Sequence, residues 1–321
     1  MPSYALGSQG ETVRKIQEVL KSRGLYRGAL DGNFGGSTLS GVEAFQRQSG
    51  LADDGRVKDT TWKAMFGGSD AIPAPELQND QLARRCLALT GSFETGAAAP
   101  ECFCGLSGDF DGQGISFGVL QWNFGQGSLQ PLLNDMVTQH ADVVKGIFGS
   151  HYDAFAAALH APQSELMAFA RSVQHPVKHT INEPWRGYAK ALGRTSEFQQ
   201  IQVTHSDRAF QRALAMCQDY ALWSERAVAL MFDIVTQNGS IGSVTRAQIV
   251  ADFKLIAAGL SDAETETRKL EIVANRRAEA ANPQWVDDVR RRKLCIARGE
   301  GTVHGIAYDL EEQFCIRLAR H

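Results

Sequence analysis

Glu94 and a glycine-rich acidic turn are the residues whose types and spacing could do chemistry in this 321-residue chain. The turn is Gly108-Asp109-Phe110-Asp111-Gly112-Gln113-Gly114, and Asp111 follows Glu94 by 17 residues (111 − 94). Two carboxyl groups that face each other across a cleft are what the hydrolysis of a glycosidic bond requires. We therefore take Glu94 and this turn as a candidate catalytic pair.

The residues before Glu94 predict how it is positioned. Apolar residues recur there at helical spacing, so Glu94 is expected to close a helix at the edge of its apolar face; they are Leu82, Cys86, Leu89 and Phe93, with Ala83 and Leu87 beside them. A carboxyl group held there loses hydration, which raises its pKa and keeps it protonated as a general acid. The aspartates of the turn, surrounded by hydrogen-bond donors, are expected to stay ionised.

The second carboxylate is open between two aspartates. Asp111 is the preferred general base and Asp109 the alternative. Either one could instead brace the turn, since Asp109-Phe110-Asp111-Gly112-Gln113 also resembles part of a calcium loop. An inverting hydrolase would need the two catalytic carboxyl groups roughly 6.5–9.5 Å apart.

The first 66 or so residues contain an internal repeat. Asp31-Gly32 and Asp54-Gly55 lie 23 residues apart (54 − 31), and each aspartate is followed seven residues later by Thr38 or Thr61. Each Asp-Gly pair predicts a turn, and each Ser/Thr cluster predicts the start of a helix. The pattern therefore predicts a small module of three short helices.

The remainder of the chain reads as mostly helical, with helices predicted at 224–238, 245–258 and 261–280. The helical pattern lapses between 96 and 128, where we expect a small hairpin-rich lobe. The predicted organisation is a module at 1–67, a Gly/Ser/Pro linker at 68–78 and a larger domain at 79–321. The predicted fold is thus mainly α, with one small β lobe.

Composition excludes several partners. A net charge of −3 disfavours nucleic acid, and no apolar run is long enough to cross a membrane. The N-terminal residues have no basic region followed by an apolar core, so a cleavable secretory signal is not expected. The six cysteines are interpreted as buried apolar residues, and neither a metal nor a cofactor is predicted. The run Arg290-Arg291-Arg292-Lys293 is interpreted as a solvated helix face, although one arginine could support a catalytic acid. We expect a monomer.

The N-terminal module resembles the peptidoglycan-binding type 1 domain. The resemblance runs along the whole module; it is carried by Leu6-Gly7-Ser8-Gln9-Gly10, Val13, Ile16-Gln17, Leu20, Gly24, Asp31-Gly32-Asn33-Phe34-Gly35, Thr38, Val42, Phe45-Gln46, Gly50-Leu51, Asp54-Gly55 and Thr61. It implies a three-helix fold that binds bacterial peptidoglycan. Phe34, Asp54 and Trp62 are the candidate ligand contacts, each with a turn or core role as the alternative.

The second domain resembles the lysozyme superfamily. Asp111-Gly112-Gln113-Gly114-Ile115-Ser116-Phe117-Gly118 is similar to a stretch of the chitosanase branch, and Gly118-Val119-Leu120-Gln121 to the Gly-x-x-Gln of goose-type lysozymes and lytic transglycosylases. Phe232 to Gly239 is similar to the superfamily helix that ends beside the substrate groove. The chain departs from the chitosanases at Cys102-Phe103-Cys104 and at Gln121-Trp122-Asn123.

This second resemblance implies a lysozyme-like α+β catalytic domain and a role for each candidate residue. Glu94 would protonate the glycosidic oxygen, and Asp111 would activate a water that Ser116 helps to hold. Gln121, Asn123 and Asn238 would bind the substrate. For Trp122 we favour core packing over stacking on a sugar.

Together the two resemblances are typical of a modular phage endolysin. Such a protein would hydrolyse the β-1,4 bond between N-acetylmuramic acid and N-acetylglucosamine, waiting in the host cytoplasm before release and acting on the wall in the periplasm. The alternatives are a lytic transglycosylase that uses Glu94 alone, chitosanase action, and a non-catalytic wall-binding or tail protein.

Overall fold

The structure is a computed structural model that describes residues 3–68, 71–73 and 76–321. The chain divides into two compact units, one of Met1–Cys86 with Arg212–His321 and one of Leu87–Gln211. These units do not follow the domain limits predicted from the sequence, which stay a prediction. Residues 69, 70, 74 and 75 of the predicted linker lie outside the described residues, as do residues 1 and 2 of the N-terminus.

The N-terminal module contains the three predicted helices, α1 (Glu11–Ser22), α2 (Gly36–Gln48) and α3 (Asp59–Phe66). Their apolar faces close over one core, which the helical spacing of these residues explains; it includes Val13, Ile16, Leu20, Phe34, Val42, Phe45, Val57, Trp62 and Met65. The predicted three-helix module is confirmed.

The two Asp-Gly turns of the module are each held by one buried glutamine. Gln17 Nε2 donates to Asp31 Oδ1 at 2.9 Å, and Gln17 Oε1 accepts from Gly32 N at 2.9 Å. Gln46 Nε2 donates to Asp54 Oδ1 at 3.0 Å, and its Oε1 accepts from Gly55 N at 2.9 Å. The same amide groups donate to Thr38 Oγ1 and Thr61 Oγ1. The two halves of the sequence repeat therefore form the same hydrogen-bonding arrangement.

The following helix, α4 (Leu82–Thr95), precedes a small β lobe. The lobe is an antiparallel sheet of β1 (Leu106–Ser107), β2 (Ser116–Phe117) and β3 (Trp122–Asn123), in the order β1-β2-β3. Its register places Ser107, Ser116 and Asn123 opposite one another, and likewise Leu106, Phe117 and Trp122. Because directly paired residues share a face, one face is polar and the other apolar.

The apolar face of this sheet packs on the core of the second unit. The helices of that unit and of the chain up to Asp219 are α5 (Leu129–Gln139), α6 (Ala141–Phe148), α7 (Tyr152–His160), α8 (Gln163–Ser172), α9 (Trp185–Arg194) and α10 (Ser196–Asp219). Trp122 is half-buried against this core, as favoured from the sequence. The predicted small β lobe between 96 and 128 is confirmed.

The C-terminal part of the first unit is helical, with one hairpin. Its elements are α11 (Glu225–Asn238), α12 (Ser243–Phe253), α13 (Asp262–Glu279), α14 (Val286–Arg298), β4 (Glu300–Val303), β5 (Ile306–Asp309) and α15 (Leu310–Phe314). A capping box between Ser261 and Glu264 sets the start of α13. The prediction of a mainly α fold is confirmed.

One expectation about α14 is wrong. Arg292 and Lys293 are 1% and 0% exposed, and both donate hydrogen bonds to the buried carboxylate of Asp233 on α11. Burial alone would disfavour the ionised carboxylate, yet the charges of Arg292 and Lys293 hold the pKa of Asp233 far below its ordinary value. Two of the four residues interpreted as a solvated face are therefore part of a buried ion cluster.

No helix in the described part of the chain is long and apolar enough to span a membrane. Among residues 3–68, 71–73 and 76–321, no group of three His, Cys, Asp or Glu side chains is placed to hold a metal ion. All six cysteines are buried free thiols.

Candidate active site

Glu94 lies in a cleft of about 290 Å³ in the second unit. The residues lining this cleft are Glu94, Thr95, Ala97, Glu101, Gly105, Leu106, Ser107, Gln121 and Lys190. Glu94 is the last residue but one of α4, as the prediction of a helix-closing position requires. We call this space the Glu94 cleft.

The expected burial of the Glu94 side chain is wrong. Residues 87–93 are all buried, whereas Glu94 itself is exposed. The reason is that α4 is buried on every side over these residues, so helical spacing does not mark a boundary between an apolar and a polar face. The helix emerges from the core only at its last turn, where Thr95 Oγ1 bonds back to Gly91 O at 2.8 Å. Lost hydration therefore does not support the predicted acid role.

A glycine lets α4 approach the β lobe closely. A Cβ atom at Gly91 would lie 2.0 Å from Val119 Cγ2, well inside contact distance. The backbone N–H of Val119 in turn donates to the buried Gln202 Oε1 at 2.8 Å, and Gln202 Nε2 donates to Phe103 O at 3.1 Å. These contacts hold the turn between β2 and β3 against the helix that carries Glu94.

Gln121, a predicted substrate-binding residue, lines the Glu94 cleft. Its Oε1 accepts from Ser107 Oγ at 2.9 Å, and its Nε2 donates to Gly118 O at 2.8 Å. Its backbone φ is 53°, a left-handed conformation that costs a non-glycine residue about 1–3 kcal/mol. Such conformations cluster at functional sites, and here the surrounding hydrogen bonds fix the amide toward the cleft.

The structure distinguishes the two aspartates of the acidic turn. The side chain of Asp109 is 8% exposed; its Oδ1 accepts from Gly114 N at 2.8 Å and its Oδ2 from Arg171 Nε at 3.1 Å. The Gly114 hydrogen bond, followed by Arg171, lowers the pKa of Asp109. Asp111 is exposed, and its Oδ1 accepts only the local N–H of Gln113 at 3.1 Å among the described groups. Asp109 therefore braces the turn, and Asp111 is the carboxylate presented to solvent.

Asp111 is not one of the residues lining the Glu94 cleft. The predicted water-holding residue Ser116 lies on the polar face of the sheet, opposite Ser107 of the cleft. Asn123, on the same face, is 8% exposed and bonds Gln126 through Oδ1 and Nδ2. The structure thus places Asn123 in a loop-bracing role and not in the cleft.

Two charged residues of the cleft, Glu101 and Lys190, were not predicted from the sequence. Glu101 is held by Arg194 through two hydrogen bonds of 2.7 and 3.1 Å, which lower the pKa of Glu101. Lys190 Nζ donates to Cys104 O at 2.8 Å. Lys190 and Arg194 are one helical turn apart on α9, and nothing in their spacing shows which distant segment they meet.

The remaining predicted binding residues lie in the first unit. Phe34 is 2% exposed and belongs to the module core, so its ring is not available to a wall polymer. Trp62 is 6% exposed in the same core. Asp54 is used within its own turn, although it also accepts from Lys58 Nζ at 2.9 Å. Asn238 ends α11, and its Oδ1 is buried without a hydrogen-bond partner among the described residues.

Comparison with known proteins gives one sequence match and a set of distant structural similarities. Residues 9–65 match the family model described as "Putative peptidoglycan binding domain". No curated protein matches the sequence at a significant level.

The similar solved structures include chitosanases. Chitosanase OU01 with substrate is 17% identical, with a TM-score of 0.45, and covers 74% of this chain and 99% of its own. A Bacillus subtilis chitosanase is 17% identical, with a TM-score of 0.41, over 69% of this chain and 87% of its own. The Gynuella sunshinyii GH46 chitosanase with chitotetraose is 12% identical, with a TM-score of 0.43, over 72% of this chain and 97% of its own. Similarities this distant do not transfer a substrate or a reaction.

Proposed function

We propose that this protein is a glycosidase that hydrolyses the β-1,4 bond between N-acetylmuramic acid and N-acetylglucosamine in bacterial peptidoglycan. The observation that carries the proposal is the Glu94 cleft, which combines a helix-end carboxyl group with a fixed amide, Gln121. The match of residues 9–65 to a peptidoglycan-binding family favours the wall as the polymer.

In the proposed reaction Glu94 gives its proton to the glycosidic oxygen as the C1–O4 bond breaks. Asp111 removes a proton from a water whose oxygen forms the new bond to C1, with Ser116 helping to hold that water. The products are two shorter glycan chains, one with a new reducing end. General acid–base catalysis by positioned groups contributes typically about 10²–10⁴-fold in rate.

The hydrogen bonds of the two other carboxylate candidates, Asp109 and Glu101, favour Asp111 as the base. Both oxygens of Asp109 are engaged by Gly114 and Arg171, and both oxygens of Glu101 by Arg194. A carboxylate whose lone pairs accept such bonds is a weak base. Asp111 retains an exposed carboxylate on a turn that Asp109 keeps in place.

The N-terminal module would raise the local concentration of wall polymer around the cleft. Joining a binding module to an enzyme makes the second encounter effectively intramolecular, which can raise avidity about 10²–10⁴-fold without any new contact. Removing wall affinity should therefore reduce activity on whole wall more than activity on short soluble fragments.

The function is tested with purified, outer-membrane-free wall. Glu94→Gln should lower the release of reducing ends by about 10²–10⁴-fold, because the amide cannot donate a proton as an acid does. Glu101→Gln is the matched control in the same cleft, and it should stay within about tenfold of wild type. Full activity of Glu94→Gln would refute the role of Glu94. Wild type that binds wall without cleaving it would instead favour the non-catalytic binding protein.

A lytic transglycosylase is the second candidate, because Asp111 does not line the Glu94 cleft. Such an enzyme needs only the acid, and the 6-hydroxyl of the substrate replaces water as the nucleophile. Its products would be 1,6-anhydro muropeptides without new reducing ends.

As part of this proposal we assign the protein an endolysin role, acting on the wall from inside a lysing host cell. Expression in the cytoplasm should leave cells intact until the inner membrane is permeabilised, after which turbidity should fall. Lysis without permeabilisation would contradict this assignment.

A further inference from the structure

We propose that Lys190 makes the Glu94 cleft selective for anionic glycan, by binding a carboxylate of the muramyl residue or of its peptide stem. This inference rests on the proposed function, since it takes the Glu94 cleft as the site of bond cleavage. It adds a specificity-determining residue that the motifs of the sequence do not mark.

The Lys190 ammonium is positioned by one hydrogen bond. Lys190 lies on α9, is half-buried, and lines the same cleft as Glu94. Its Nζ donates to the carbonyl of Cys104, a buried residue, at 2.8 Å. An ammonium has three N–H donors, and within the described part of the chain Cys104 O is its one hydrogen-bond acceptor. Two donors are therefore available to a ligand in the cleft.

The charges around the cleft leave Lys190 without a carboxylate of its own. Glu101, the other acidic residue lining the cleft besides Glu94, forms a two-bond ion pair with Arg194. Among the described residues Lys190 forms no ion pair within 4.0 Å. Arg194, and to a smaller degree Lys190, lower the pKa of Glu101, so Glu101 is paired mainly with Arg194. Lys190 is the cation that lines the same cleft as Glu94.

Peptidoglycan supplies the matching charge. Every second sugar carries a lactyl ether, whose carboxylate is either free or linked to a peptide stem that has carboxylates of its own. A β-1,4 glucosamine polymer would instead bring ammonium groups toward Lys190, and like charges repel. A partly exposed pair of this kind contributes about 0.2–1 kcal/mol, which corresponds to about 1.4- to fivefold in kcat/KM, and more where the ligand excludes water.

The test compares glycan strands that differ only in charge. Two pairs are needed: strands stripped of peptide, with the lactyl carboxylate free or amidated, and strands with intact stems, with the stem carboxylates free or amidated. For the pair that carries the recognised carboxylate, wild type should show a kcat/KM for the charged strand about two- to fivefold above that for the amidated strand. In Lys190→Ala the ratio should approach one, and Lys190→Arg should restore it.

The controls separate recognition from structure. Lys145→Ala removes an exposed lysine on α6 of the same unit and should keep the wild-type ratio. In 1 M salt the wild-type ratio should shrink, since the Debye length falls to about 3 Å. A ratio unchanged in Lys190→Ala, or equal loss on charged and amidated strands, would overturn the inference while wild-type cleavage still upheld the proposed function. Wild type inactive on all strands would overturn the function itself.

Discussion

Three turns of this protein begin with Asp-Gly, two in the N-terminal module and one in the β lobe. In all three the aspartate accepts the N–H two residues on, at 2.9 Å from Asn33, 2.9 Å from Arg56 and 3.1 Å from Gln113. The central glycines are all left-handed, with φ of 70°, 68° and 81°. The local sequence therefore makes the same turn three times.

The three turns differ in the hydrogen bonds that neighbouring residues make to them. In each turn of the module, a buried glutamine hydrogen-bonds both the aspartate carboxylate and the glycine N–H. Asp31 and Asp54 are therefore structural. In the lobe a neighbouring residue, Asp109, takes the bracing role and bonds Gly114 and Arg171. An Asp-Gly motif therefore predicts a turn but not the use of its carboxylate. The second layer of hydrogen bonds decides whether that carboxylate is committed or available.

The largest effect should come from neutralising the available carboxylate. Asp111→Asn keeps the acceptor for Gln113 N but cannot take a proton from water, so kcat on soluble glycan strands should fall about 10²–10³-fold with little change in Tm. Asp54→Asn is the matched control, and it should leave kcat unchanged. Equal kcat for the two variants would break the distinction between the turns.

Removing the Gln46 side chain should have the next largest effect. Gln46→Ala leaves the buried partners Thr61 Oγ1 and Gly55 N without their hydrogen bonds, at a cost of about 1–3 kcal/mol for each unsatisfied group. Hydrogen exchange over residues 46–61 of the full chain should accelerate strongly, and wall binding should weaken. Exchange unaltered by the substitution would show that the glutamine is dispensable.

Loosening the brace of the lobe should have a moderate effect. Asp109→Asn keeps an acceptor for Gly114 N but loses the charge that pairs with Arg171, an exposed partner. We expect a loss of about 1 kcal/mol or less in the free energy of unfolding and a several-fold drop in kcat, because Asp111 is held less firmly. A kcat loss as large as that of Asp111→Asn would mean that Asp109 is itself the base.

Acidification should have the smallest effect, a loss of folding stability through Asp31, Asp54 and Asp109. Although burial opposes it, hydrogen bonds from Gln17 and from Lys58 lower the pKa of Asp31 and Asp54 below 3.8, and Gly114 does the same for Asp109. Below about pH 4 the unfolded chain therefore binds protons that the folded chain does not, and stability falls. The urea midpoint should drop from pH 5 to pH 3, by less in Asp109→Asn. An equal drop in that variant would contradict a contribution from Asp109.

Local features were predictable from the sequence because their causes are local. The Asp-Gly turns, the three short helices and the glycine-rich hairpins all follow from residues within a few positions of one another. The position of Glu94 at the end of α4 followed from helical spacing in the same way.

Features that depend on distant partners were not predictable. The exposure of Glu94 depends on what covers residues 87–93, and the roles of Glu101 and Lys190 depend on contacts between α9 and a segment about 90 residues away. Arg292 and Lys293 looked like a solvated face because their partner Asp233 is 59 and 60 residues distant. A charge run shows its chemistry only when the opposing helix is known.

The most direct test of the central claim is to digest purified wall in ¹⁸O-labelled water and to measure the masses of the products by mass spectrometry. Hydrolysis that uses Glu94 with a water activated by Asp111 predicts new reducing-end muramyl fragments, each carrying one ¹⁸O atom. Fragments that end in 1,6-anhydro-muramic acid and carry no label would contradict the account, because they would show that the substrate and not water supplies the nucleophile.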